Sequence, residues 1–229
     1  MKILLLFALS VFSIFAFRMS SEKTFRYVAL GDSYTICEGA KWEESWPFTL
    51  TKHLNEKGIS IELIANPSVT GWTTQDLIDK ELPVFDSSSP TFATLLIGVN
   101  DWVQGVSKEK FHENLNFIID HVLKKLSANN HQLTTNNRLV LITIPDFSVT
   151  PEGPKYSKGR NIADGLQEFN AIIKEEAKKR NLKCVDIFPT SLEMKGKPEL
   201  IAADGLHPSA KEYAIWETLI EPVAYDVLK

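Results

Sequence analysis

Five short apolar runs, separated by longer segments of helical periodicity, constrain the fold of this chain more than any other feature. The runs are Tyr27–Leu30, Ile59–Ala65, Phe92–Ile97, Leu139–Ile144 and Leu182–Ile187. The last three are almost continuously apolar, which is typical of parallel strands covered by helices on both faces. Because each parallel connection needs a crossover helix, the alternation predicts one doubly wound α/β domain around a five-stranded parallel sheet over residues 21–229.

The segments between the runs carry apolar stripes that predict amphipathic helices. One stripe is Phe111, Leu115, Ile118, Ile119, Val122 and Leu126, and another is Ile162, Leu166, Phe169, Ile172 and Ile173. Ser209 and Glu212 have the spacing of a capping box and predict the start of the last helix. Because open parallel sheets bind ligands at the carboxyl ends of their strands, we expect functional residues where each apolar run stops.

The N-terminus has the pattern of a secretory signal. Lys2 precedes the apolar run Ile3–Phe17, which is short for a membrane span. Arg18 and Met19 interrupt the small residues that a signal peptidase prefers, so an uncleaved anchor and a buried core element remain as alternatives. Residues 1–20 are therefore predicted to be a signal peptide or an uncleaved anchor. The location is predicted to be periplasmic or extracellular, with membrane association through this segment only.

Composition excludes some classes of protein. The chain is 44% hydrophobic and 24% charged, with a net charge of -4, as expected of a soluble globular domain. The basic runs Lys124-Lys125 and Lys178-Lys179-Arg180 end helical segments and are interpreted as solvated charges, so no nucleic-acid partner is predicted. Cys37 and Cys184 form no zinc pattern, and Cys184 is interpreted as a buried free thiol.

Polar residues follow the predicted strands in an order that suits nucleophilic catalysis. Ser33 follows the first run, and a serine hydroxyl needs a base and an orienting group behind that base. Asp204 and His207 can supply such a pair, because residues three apart on a loop can hydrogen-bond. The Gly71 N–H and the Asn100 carboxamide can donate to a developing oxyanion. Each residue also has an ordinary interpretation, as a turn, a helix cap or a loop histidine.

Taken together, four segments resemble the sequence blocks of the SGNH hydrolases, also called GDSL esterases and lipases. They are Gly31-Asp32-Ser33, Gly71, Gly98-Val99-Asn100-Asp101 and Asp204-Gly205-Leu206-His207. The resemblance extends over nearly the whole chain beyond residue 20. It implies a flavodoxin-like sheet and hydrolysis of oxyesters or thioesters such as lysophospholipids, acyl esters or acetylated carbohydrates. It implies a small-molecule ester as the partner, with no metal or organic cofactor.

The resemblance also implies roles for particular residues. Ser33, Asp204 and His207 would form the catalytic triad. The Ser33 N–H, the Gly71 N–H and the Asn100 side chain would form the oxyanion hole. Tyr34 departs from the family pattern, which usually has Leu after the serine, and this makes the substrate harder to infer. No Gly-x-Ser-x-Gly elbow surrounds Ser33, which argues against the α/β-hydrolase fold.

Three features bear on the substrate. Trp72 and Trp102 lie next to the predicted oxyanion donors and either stack on a sugar or aryl group or anchor loops to the core. The segment 145–160 is predicted to be a mobile rim of the site, with Lys155, Lys158 and Arg160 either meeting an anionic leaving group or lying in solvent.

Two alternative functions remain open: an acyltransferase that uses the same triad, and a binding module that has lost catalysis.

Overall fold

The computed structural model describes residues 24–129 and 138–229, and all five predicted strands form within them. They are β1 (Phe25–Gly31), β2 (Ile61–Ala65), β3 (Phe92–Leu96), β4 (Leu139–Ile142) and β5 (Lys183–Val185). The strand order is β2-β1-β3-β4-β5, and every neighbouring pair is parallel. This order is that of the flavodoxin-like doubly wound sheets, so the predicted fold class is confirmed. The predicted N-terminal segment 1–20 lies outside the described residues.

Helices connect the strands. Their bounds are α1 Ser33–Ile36, α2 Trp46–Glu56, α3 Thr74–Asp76, α4 Leu82–Ser87, α5 Val99–Gln104, α6 Lys108–Asn129, α7 Ile162–Lys179, α8 Phe188–Ser191 and α9 Ala210–Leu228. A π-helical turn, Leu77–Glu81, joins α3 to α4. Short 3₁₀ turns lie at Trp42–Glu44, Gly153–Tyr156, Leu192–Met194 and Pro198–Leu200.

The core lies between the sheet and two pairs of packed helices, α2 with α9 and α6 with α7. Every residue of β3 and β4 is buried. Because successive side chains of a strand point to opposite faces, burial of the whole strand means that helices cover both faces of the sheet. The predicted stripe of α6 is buried along its length, as are the stripe residues of α7 except the partly buried Ile172.

The start of α9 corrects one prediction. Ser209 is the N-cap residue, but its side chain makes no capping hydrogen bond and donates instead to the Glu199 carbonyl oxygen at 2.8 Å. Glu212 does not reach back to the cap, because its carboxyl group is buried and accepts a hydrogen bond of 2.7 Å from Trp216 Nε1. Burial raises the pKa of Glu212 to about 7.

Glu212 therefore makes folding stability depend on pH. Its folded-state pKa lies above its ordinary value, so the unfolded chain loses this proton first, and stability falls as the pH rises through the interval up to about 7. We expect Glu212→Gln to remove this decline. When the pH is raised from 5 to 8, the difference in unfolding free energy between the variant and wild type should shift by roughly 1 to 3 kcal/mol in favour of the variant. Urea unfolding of both proteins at the two pH values measures this gain, and a constant difference would contradict it.

The basic run at the end of α7 corrects a second prediction. The Arg180 side chain is only 14% exposed and is not a solvated charge. It forms ion pairs with Glu176 and with Asp120, and Nη2 donates to Asn116 Oδ1 at 2.9 Å. Since Asn116 and Asp120 lie on α6, Arg180 links the two helices.

Both cysteines are free thiols, Cys37 buried and Cys184 half-buried. Among the helices of the described residues, none has the length and apolar character needed to cross a membrane.

Candidate active site

Ser33 lies at the first position of α1, two residues beyond the carboxyl end of β1, an inner strand between β2 and β3. The strand ends at Gly31, where a Cβ atom would overlap the Leu96 carbonyl oxygen, so the close approach of β1 and β3 requires glycine. Asp32 caps α1 by accepting a hydrogen bond of 3.0 Å from the Tyr34 N–H. The turn from strand to helix therefore holds Ser33 at the sheet edge.

Two buried carboxyl groups support this turn. Burial raises the pKa of Asp32 to about 8, although the hydrogen bond from the Tyr34 N–H opposes the shift and the charge of Asp101 adds to it. Glu81, at the end of the π-helical turn, accepts a hydrogen bond of 3.1 Å from the Gly31 N–H. Burial also raises the pKa of Glu81 well above its ordinary value. The role of Glu81 has no local signature in the sequence, because its partner lies 50 residues away.

The predicted pair of Asp204 and His207 is present. His207 Nδ1 lies 2.6 Å from Asp204 Oδ2, and Asp204 Oδ1 accepts the N–H groups of Leu206 and His207 at 2.9 and 3.0 Å. Partial burial by itself would raise the pKa of Asp204, but these hydrogen bonds outweigh it and lower the pKa below its ordinary value. Because a carboxylate can only accept, this contact favours the imidazole tautomer with its hydrogen on Nδ1 and a lone pair on Nε2.

Ser33, Asn100 and His207 line one cleft. The cleft encloses about 330 Å³, including space open to solvent, and its other walls are Tyr34, Val99, Val103, Phe147, Tyr156 and Leu206. The fold thus brings together three residues that are at least 67 positions apart in sequence. No direct hydrogen bond joins the Ser33 hydroxyl to the His207 ring in the described structure, and such contacts often tighten only when substrate binds.

Asn100 is connected to the loop that follows β2. It lies in the first turn of α5, and its Nδ2 donates to the Trp72 carbonyl oxygen at 2.9 Å, with a longer contact of 3.5 Å to Asp32 Oδ2. The neighbouring Asp101 is buried and accepts from the N–H and the hydroxyl of Thr74 at 2.9 and 2.5 Å. These bonds hold the start of α5 against the start of α3.

Gly71 and Trp72 lie on this loop, beside the cleft and not in its wall. Gly71 is exposed and has a φ of +87°, a conformation that favours glycine. The side chain of Trp72 is half-buried, with the ammonium group of Lys80 4.9 Å from its ring centre. Thr73 caps α3 by accepting a hydrogen bond from the N–H of Asp76.

Trp102 is only 4% exposed and lies outside the wall of the cleft. The Arg160 guanidinium lies 4.0 Å from its ring centre, and Arg160 Nη1 donates to the Trp102 carbonyl oxygen at 2.6 Å. The ring also packs against Gly165, where a Cβ would overlap the indole nitrogen. This packing favours the second interpretation of Trp102, as an anchor that holds the loop of residues 145–160.

The segment 145–160 contributes the aromatic side of the cleft, through Phe147 and Tyr156. Its cations bond within the protein: Lys155 pairs with Glu152, and Lys158 Nζ donates to the Val103 carbonyl oxygen at 3.2 Å. These contacts favour a structural role over recognition of an anionic leaving group. The sequence pattern indicated that the segment lies at the site but not which side chains face it, because the loop has no periodicity.

Three other histidines also contact carboxylates, which the sequence did not indicate. The pairs are His53 with Glu217 at 3.0 Å, His112 with Glu176 at 2.7 Å and His121 with Asp86 at 2.9 Å. Each joins different elements of the fold, so only the tertiary structure creates it. A carboxylate partner therefore does not by itself distinguish His207, which stands out because it shares a cleft with Ser33.

A parallel sheet in this order, with serine, asparagine and histidine around a cleft at its carboxyl edge, defines the SGNH class of hydrolase fold. A family model described as the GDSL-like Lipase/Acylhydrolase family matches residues 29–215. The chain belongs to this family and is a carboxylic ester hydrolase.

Individual relatives agree with the family assignment. The chain is 27% identical over 222 residues to an arylesterase of Vibrio mimicus, covering 96% of this chain and 97% of that protein. A family 3 carbohydrate esterase of Clostridium thermocellum superposes with a TM-score of 0.69 at 19% identity, over 90% of this chain and 98% of that one. The psychrotrophic esterase EstA of a Pseudoalteromonas species superposes with a TM-score of 0.63 at 22% identity, over 88% and 97%. These two structural similarities show the fold alone.

Proposed function

We propose that the protein hydrolyses carboxylic esters through an acyl-enzyme on Ser33, with His207 as the general base and Asp204 as the residue that orients it. The observation that carries the proposal is the single cleft lined by Ser33 and His207, with Asp204 hydrogen-bonded to the far side of the imidazole. A serine hydroxyl is a weak nucleophile, and this arrangement supplies the base and the orienting group that it needs.

In the proposed first step, the Ser33 oxygen attacks the ester carbonyl carbon while His207 Nε2 takes the hydroxyl proton. The imidazolium then gives this proton to the departing alcohol, which leaves Ser33 acylated. In the second step, His207 takes a proton from water, the hydroxide attacks the acyl carbon, and the proton returns to Ser33 as the acid departs. The Asp204 carboxylate stabilises the imidazolium in both steps.

The proposed oxyanion hole consists of the Ser33 N–H, the Gly71 N–H and the Asn100 side chain. Asn100 Nδ2 has two hydrogens, of which one bonds the Trp72 carbonyl and the other makes only the 3.5 Å contact with Asp32. Because that contact is long, the second hydrogen is the one that we assign to an oxyanion in the cleft. One such donor typically contributes about 3 to 4 kcal/mol of barrier lowering.

The cleft favours compact acyl or aryl groups as substrates. Its volume of about 330 Å³ includes space open to solvent, and Val99, Val103, Phe147 and Leu206 make much of its wall apolar. The relative that is an arylesterase supports an aryl ester as substrate, and the structural neighbour that is a carbohydrate esterase supports a carbohydrate ester. We therefore place short acyl esters before lysophospholipids among the candidate substrates.

A fluorophosphonate probe tests the proposed nucleophile. We expect one phosphonyl group per chain, located by peptide mass spectrometry on Ser33, because only an activated serine displaces fluoride at a useful rate. Heat-unfolded protein should not be labelled, and Ser87→Ala, at an exposed position on α4, should be labelled like wild type. Labelling of a different residue, or equal labelling of the unfolded chain, would refute the assignment of Ser33.

A further inference from the structure

Tyr34, the residue directly after Ser33, is part of the cleft wall although its side chain is only 4% exposed. Its ring makes edge contacts with two other rings. The His207 ring centre is 5.9 Å away at an interplanar angle of 65°, and the Trp216 ring centre is 5.8 Å away at 63°. The ring is therefore held in place beside the proposed base.

The Tyr34 hydroxyl has no hydrogen-bond partner among the residues that the structure describes. The two other buried tyrosines both have one: the Tyr27 hydroxyl lies 2.8 Å from Thr94 Oγ1, and the Tyr213 hydroxyl donates to the Glu38 carbonyl oxygen at 3.0 Å. Polar groups cut off from water are nearly always paired inside the protein, and the Tyr34 hydroxyl is not among the fully buried polar atoms of the described residues that lack a partner. We therefore assign the small exposed part of Tyr34 to the cleft side, where a molecule that enters can accept the hydrogen bond that no protein group takes.

The surroundings keep this phenol a donor. Burial raises the pKa of Tyr34 well above its ordinary value, and the nearby carboxyl groups of Asp32, Asp146 and Asp204 and the phenol of Tyr156 raise it further. The O–H group is thus retained at any pH at which the enzyme would be assayed. An oxygen acceptor on the substrate is the partner that such a group requires.

We propose that Tyr34 is a specificity-determining residue whose hydroxyl donates a hydrogen bond to an ether, hydroxyl or carbonyl oxygen of the substrate, near the ester bond. Substrates with such an oxygen are then preferred over hydrocarbon esters of the same shape. The inference rests on the proposed function, because Ser33 defines where the ester bond lies. Of the other residues that line the cleft, Val99, Val103, Phe147 and Leu206 have no side-chain hydrogen-bonding group, and Tyr156, which has one, is 41% exposed to solvent.

Two pairs of nearly isosteric esters test this inference. The 4-nitrophenyl esters of methoxyacetic and butyric acid differ by one oxygen in the acyl group. The acetates of 2-methoxyethanol and butanol differ by one oxygen in the alcohol. For each pair, the ratio of kcat/KM for the oxygen-bearing ester to that for the hydrocarbon ester is measured in wild type and in Tyr34→Phe. Intrinsic reactivity cancels when the ratios of the two proteins are compared.

We expect Tyr34→Phe to lower this ratio roughly 3- to 10-fold in at least one pair, the effect of one neutral hydrogen bond. The affected pair identifies the side of the ester on which the contact is made. Tyr213→Phe removes a buried hydroxyl outside the cleft wall and should keep the wild-type ratio. Ratios that change by less than about twofold in both pairs would overturn the inference, as would an equal fall in Tyr213→Phe.

A measurement on wild type alone covers the case in which Tyr34→Phe folds poorly. For at least one pair, the enzymatic ratio should exceed the ratio of the rates of hydrolysis by hydroxide, and equality or a lower value in both pairs would overturn the inference. Failure of the proposed function gives a different result. If Ser33→Ala retains full hydrolysis, the nucleophile is wrong, whatever the ratios.

Discussion

Replacing Ser33 with alanine is expected to lower kcat/KM for a 4-nitrophenyl ester by at least about a thousandfold. The substitution removes the oxygen that would form the acyl-enzyme, while the cleft and the oxyanion donors remain. The folded state should change little, because the Ser33 hydroxyl makes no hydrogen bond to the described residues and the backbone of α1 is capped by Asp32. The measurement is initial-rate hydrolysis with a thermal melt of each protein.

Ser87→Ala is the matched control for this loss. The Ser87 hydroxyl bonds only the Val84 carbonyl oxygen of its own helix, outside the cleft wall, so this variant should hydrolyse the ester like wild type. Retention of more than about a tenth of wild-type activity by Ser33→Ala, in a correctly folded protein, would exclude Ser33 as the nucleophile.

The second large effect is expected for Asp204→Asn, with a fall in kcat between about a hundredfold and ten-thousandfold. An asparagine that turns its amide NH₂ toward His207 Nδ1 would favour the imidazole tautomer with its hydrogen on Nε2, which cannot accept a proton from Ser33. KM should change much less than kcat, because Asp204 is not part of the cleft wall. Steady-state kinetics at neutral pH separates the two parameters.

Asp86→Asn supplies a matched control, since Asp86 makes a comparable contact of 2.9 Å with His121 away from the cleft. Asp86→Asn should leave kcat unchanged.

The pH dependence of stability provides a further check on Asp204. The pKa of Asp204 is lowered, so its carboxylate stays ionised below the ordinary range, and the stability it contributes is lost only as the pH falls through that lowered value. Equal kcat values for Asp204→Asn and wild type would exclude an orienting role.

The sequence predicted most of the framework because the relevant patterns are local. An apolar run of about six residues indicates a buried strand wherever it lies in the fold, and all five runs are strands in the structure. The capping box predicted at Ser209 is wrong because a side-chain contact of Glu212 with Trp216 takes its place. Glu212 was free to bond Ser209 or Trp216, and the packing of α9 decided for Trp216. Propensity and spacing describe what a residue can do locally, and tertiary packing selects among these options.

By itself, then, the sequence determined the doubly wound sheet, the position of Ser33 beyond the first strand of the chain and the pairing of Asp204 with His207, which lie three residues apart. Only the tertiary structure decided which rings face the cleft, and that Trp102 lies buried under a loop. The physical reason is that a hydrogen bond or ring contact between distant residues depends on how whole elements pack, and no short-range pattern records that packing.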